Sequence, residues 1–81
     1  MRYLKIRKGW IRQREIISLH QELTRSGINF QLLYVGENAI QVYQLVFIVA
    51  EENVSDFETI VTVVLTKKFE IEDITVSKED N

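Results

Sequence analysis

Ser55-Asp56-Phe57-Glu58-Thr59-Ile60-Val61-Thr62-Val63-Val64-Leu65-Thr66-Lys67-Lys68 is the stretch on which the fold turns. Its middle, Thr59 to Thr66, is so rich in Val, Ile and Thr that side-chain branching alone argues for a strand. Two signals argue the other way. Ser55 and Glu58 stand in S-x-x-E spacing, in which hydroxyl and carboxylate satisfy reciprocal backbone N–H groups at a helix start. Phe57, Ile60, Val61, Val64, Leu65 and Lys68 recur at helical spacing, and Lys67 and Lys68 fall where the negative end of a helix favours cations. The stretch is therefore read as a helix, Phe57 to Lys68 at its core.

Working outward, Glu70 to Ser77 downstream alternates through Ile74 and Val76 and reads as a closing strand, with residues 77–81 a frayed polar tail. Upstream, Ile28 to Val35 and Ile40 to Val49 are apolar strands flanking the turn residues Gly36-Glu37-Asn38, a hairpin. Before them, Ile16, Leu19, His20 and Leu23 fall at i, i+3, i+4 and i+7, which predicts a helix from Arg12 to Ser26 stopped by Gly27. Tyr3 to Arg7, with Leu4 and Ile6 alternating against polar neighbours, predicts the first strand.

Composition narrows the rest. At 81 residues, 46% hydrophobic and 27% charged, with 3 Gly and no Pro, the chain is one globular domain over residues 1–81 with no linker or repeat. The absence of Cys removes disulfides, thiolate nucleophiles and cysteine-ligated metals. A single His and no Gly-rich phosphate loop leave little from which to build an active site, so the chain is expected to be no enzyme and to need no cofactor or metal. The longest apolar run, Leu45 to Ala50, falls far short of the ~20 residues of a membrane span. Met1 to Glu15 has the basic start of a secretory signal without its apolar stretch, which makes a cytoplasmic location the expectation.

The predicted order β-α-β-β-α-β is an α+β, ferredoxin-like arrangement: one four-stranded antiparallel sheet of order 4-1-3-2 with two helices on one face. Charge is polarised along the chain, because residues 1–14 carry +6 and residues 15–81 carry −8. A basic segment of this kind is either an anion-contact surface or the cross-strand partner of an acidic strand. The predicted order sets the fourth strand beside the first, so Glu70, Glu72 and Asp73 are expected near Lys5, Arg7 and Lys8. In the third strand both parities are apolar, Ile40, Val42, Val46 and Ile48 on one side and Tyr43, Leu45, Phe47 and Val49 on the other. Since one face of such a sheet is open, this predicts a homodimer, with Tyr43, Leu45, Phe47 and Val49 as its interface. Phe47→Lys is then expected to yield a soluble monomer.

The run Ile16-Ile17-Ser18-Leu19-His20-Gln21-Glu22-Leu23-Thr24-Arg25-Ser26-Gly27-Ile28-Asn29-Phe30 resembles the helix-to-strand junction of ACT domains, small ligand-sensing regulatory modules. The soluble C-terminal domain of the MgtC membrane protein family is similar. What the ACT resemblance implies is a dimeric regulatory domain that binds an amino acid or other small effector. The matching positions are Gly27, Ile28 and Asn29, with Lys8, Gly9 and Trp10 in the loop after the first strand. Asn29→Ala would then abolish binding and leave the fold intact.

Among single residues, His20 on the apolar stripe reads as a partly buried core residue, Glu15 and Glu22 as helix-solvating side chains, and Trp10 as a cover for the core edge. The alternative function is RNA or single-stranded nucleic-acid binding, with bases stacked on Tyr3, Tyr43 and Phe47 beside Lys5 and Arg7. Against it stand a sequence pI near 5.3 and the lack of Gly and basic residues from Ile40 to Ala50.

Overall fold

The computed structural model describes residues 1–9, 11–37, 43–66 and 68–75. Its elements are β1 (Arg2–Lys8), α1 (Gln13–Arg25), β2 (Phe30–Glu37), β3 (Tyr43–Val49), a 3-10 turn (Glu51–Asn53), α2 (Val54–Val64) and β4 (Glu70–Asp73). The four strands form one sheet of order β2-β3-β1-β4, which is 4-1-3-2 read from the opposite edge, and every pairing is antiparallel. Together with the two helices this is the ferredoxin-like layout. The expected turn residue Asn38, the strand start Ile40 to Val42, and Trp10, Lys67 and residues 76–81 lie outside the described residues.

The first helix starts and stops for identifiable reasons. Arg12 caps α1, and the Glu15 side chain reaches back so that its Oε1 accepts the Arg12 N–H at 2.9 Å. At the other end Gly27 adopts φ 74°, a left-handed conformation that costs a residue with a Cβ roughly 1–2 kcal/mol. The Ile28 N–H then reaches the Leu23 carbonyl and the Gly27 N–H the Thr24 carbonyl, both at 3.1 Å, the two bonds of a Schellman stop. Leu23 and Ile28 are both buried, which supplies the hydrophobic contact that accompanies this motif.

The second helix corrects the sequence reading at both ends. Its N-cap is Asn53, not Ser55, and Ser55 lies inside the helix, where its carbonyl accepts the Thr59 hydroxyl at 3.1 Å. Thr62 donates likewise to the Glu58 carbonyl at 2.8 Å. These bonds place the Thr side chains of a β-prone run on a helix. The helix ends at Val64 instead of Lys68, because Leu65 leaves helical geometry at ψ 79° and its side chain turns into the core, 1% exposed.

Both helices lie on the same side of the sheet. Leu19 and Leu23 of α1 and Phe57 and Val61 of α2 pack against Leu4, Ile6, Leu45, Phe47 and Val49, all nearly inaccessible. Phe47 sits at the middle of this core, its ring 5.2 Å from Phe57 and 6.0 Å from Phe30. The expected interface residues Leu45, Phe47 and Val49 are therefore core residues, at 0%, 1% and 0% exposure. The reason is register: Leu45 and Phe47 stand opposite Ile6 and Leu4, the apolar parity of β1, and the helices cover that parity. Tyr43, the fourth expected interface residue, is placed by its backbone alone, opposite Lys8 and Glu37.

Candidate functional site

The face of the sheet turned away from the helices carries Tyr3, Lys5 and Arg7 from β1, opposite Ile48, Val46 and Gln44 of β3. Tyr3 is 39% exposed, and Val46 and Ile48 are half-buried. On the far side, Glu72 and Glu70 of β4 stand opposite Lys5 and Arg7. These are ion pairs, Lys5 Nζ to Glu72 Oε1 at 3.7 Å and Arg7 Nη1 to Glu70 Oε1 at 4.0 Å. The basic segment thus meets the acidic strand, as the strand order requires.

Two partners differ from expectation. Asp73 pairs with Arg2 at 3.6 Å, and the Thr75 hydroxyl and N–H hold its carboxyl below the usual range, with Arg2 adding to the effect. Lys8 has the parity of Leu4 and Ile6, is 4% exposed, and places its Nζ 3.6 Å from Glu15 Oε2. Glu15 is held below its ordinary pKa chiefly by the Arg12 N–H, with a smaller contribution from Lys8. It is a cap and an ion-pair partner, not merely a solvating side chain, whereas Glu22 pairs with Arg25 at 3.2 Å. His20 is exposed, its ring edge-on to Phe30 at 5.0 Å.

The described residues matched to the ACT junction do not form one site within this chain. Asn29 precedes the end of the sheet defined by Phe30, Val49 and Arg2, and Lys8 marks the opposite end. Ile28 is buried. Asn29 is clipped to the connection after β3, its N–H donating to Asn53 Oδ1 at 2.8 Å and its carbonyl accepting the Ala50 N–H at 3.0 Å. Gly27, Ile28 and Asn29 therefore have a local folding role, stopping α1 and launching β2.

At the Lys8 end an open groove of about 460 Å³ is lined by Arg7, Lys8, Gly9, Lys68, Phe69 and Glu70. It unites Lys8 and Gly9 of the expected loop with Lys68 and Phe69 just before β4 and Glu70 at its start, none of which was read as part of a binding site. Those residues are more than 50 positions away along the chain, and only the β1–β4 pairing brings them together. Among the described residues no group of three or more His, Cys, Asp or Glu could hold a metal ion. No helix among them is long and apolar enough to cross a membrane.

No family model matches the chain, and no curated protein matches it. Among solved structures it is similar to the de novo designed protein Foldit4, with a TM-score of 0.56 and 12% sequence identity over 94% of this chain and 96% of that one. At that identity the likeness is one of fold alone.

Proposed function

We propose that this chain is a non-enzymatic interaction domain that pairs with a second copy of itself through the open face of its sheet. The observation that carries this reading is an apolar row, Tyr3, Val46 and Ile48, on a face that no element among the described residues covers, beside charges that cancel. An uncovered apolar row invites a partner. A neutral face on which a basic strand adjoins an acidic one is its own electrostatic complement, as a twofold interface requires. The homodimer expected from the sequence is retained with different residues: Tyr3, Val46 and Ile48 replace Leu45, Phe47 and Val49. A regulatory role of the kind the ACT resemblance implies is compatible with such pairing.

Nucleic acid is less well supported. Phe47 is buried, so the stacking platform loses that aromatic, and Lys5 already has a carboxylate partner. Light scattering of the wild-type chain and of Val46→Lys tests the reading. The expected result is a dimer mass for wild type at about 100 μM and a monomer mass for the variant, with unchanged circular dichroism. A wild-type monomer at that concentration, or a dimer indifferent to Val46→Lys, would overturn it.

A further inference from the structure

A second feature lies at the Lys8 end of the sheet and shares Arg7 and Glu70 with the open face. The groove at the Lys8 end is lined by Arg7, Lys68 and Glu70 together with Lys8, whose ammonium stands beside Glu15. Lys8 is buried with its charge matched by Glu15, whereas Lys68 is exposed. The Arg7 guanidinium is under-satisfied: its Nε is buried with no acceptor among the described residues, and its contact with Glu70 is long at 4.0 Å. Phe69 supplies a half-buried aromatic surface in the same groove. Apart from its chain neighbours, nothing among the described residues lies within 4 Å of the point where a Cβ would stand on Gly9.

We infer that this groove binds a small organic oxyanion, a carboxylate or phosphate carried beside an apolar group. The anion sits between Arg7 and Lys68, and the apolar part lies against Phe69. The excess of positive charge selects the anion, and the aromatic wall distinguishes an organic ligand from a bare ion. Glu70 opposes the ligand by competing for Arg7.

The test is titration of the isotopically labelled full chain with phenylacetate, phenyl phosphate and inorganic phosphate, following the backbone amides of Gly9, Phe69 and Glu70. Saturable shifts with one or both aromatic anions are expected, and which of them binds more tightly tells carboxylate from phosphate. Lys68→Gln should weaken binding about fivefold, the scale of one partly screened charge contact, and Glu70→Gln should tighten it by roughly the same factor. Arg25→Gln removes the same charge from the far end of α1 and should leave affinity within about twofold. The inference fails if those amides do not move at about 10 mM ligand, a concentration that detects even a weak site. It also fails if Arg25→Gln weakens binding as much as Lys68→Gln, or if inorganic phosphate binds as tightly as phenyl phosphate.

Discussion

The two faces of the sheet are built from the same strands and nearly the same apolar content in β3, yet they do different work. On the inner face Leu45, Phe47 and Val49 meet Leu4, Ile6 and two helices, and solvent is shut out. On the outer face Val46 and Ile48 meet Lys5 and Tyr3, and the neighbouring charges are matched across β1 and β4. The difference teaches that the apolar character of a central strand does not say which side is core. The adjacent strand decides it, because β1 carries its aliphatic side chains, Leu4 and Ile6, on one parity alone. Lys8 makes the same point from the opposite direction: a charged residue at an inward-facing position is retained because Glu15 of α1 stands 3.6 Å from its ammonium.

The contrast is broken most severely at Phe47. Phe47→Ala removes the ring that joins Phe30 to Phe57 and should cost about 3–5 kcal/mol in chemical denaturation, and Phe47→Lys should yield no folded protein rather than a monomer. Next in size is Lys8→Gln, expected to cost about 2 kcal/mol by the same measurement, because Glu15 loses a partner in a mostly buried setting. Glu15 also sharpens the acid response. Its folded pKa lies below the ordinary value, so its contribution is complete above the usual carboxylate range and is lost as the pH falls through the folded value. Stability measured against pH should therefore decline less steeply on the acid side in Glu15→Gln than in wild type. Val46→Ala, on the outer face, should cost about 1 kcal/mol when measured on dilute protein. Smallest of all, Lys5→Gln should change stability by less than about 1 kcal/mol, since its ion pair with Glu72 is largely solvated. If Lys5→Gln proved as damaging as Lys8→Gln, the distinction between the two faces would collapse.

Much of the architecture was legible in the residues. The α1 boundaries lie within one residue of those expected, because the Ile16, Leu19 and Leu23 stripe and the Gly27 stop are local signals. The helical identity of α2 was also readable, although its cap was not: Asn53 acts there while its side chain simultaneously holds the Asn29 N–H, a contact 24 positions away. β2 carries a further feature that no local pattern announced, a register shift between Leu32 and Tyr34 that leaves Leu33 as an extra, exposed residue. Two residues of the groove, Lys8 and Gly9, were reached through resemblance, and Glu70 through its expected place beside Arg7. Lys68 and Phe69 were not, because nothing in their own neighbourhood distinguishes them from the tail of a helix.

By itself the sequence determined the number, type and order of the elements, and through them the strand order and the meeting of Lys5 and Arg7 with Glu72 and Glu70. These follow from short-range physics: side-chain periodicity, a left-handed glycine, and the handedness of crossovers. Only the tertiary structure decided which face of β3 is core, where α2 stops and which distant residues share the groove. Each of these depends on what is packed on the other side of a residue, and that neighbour is supplied by a remote part of the chain.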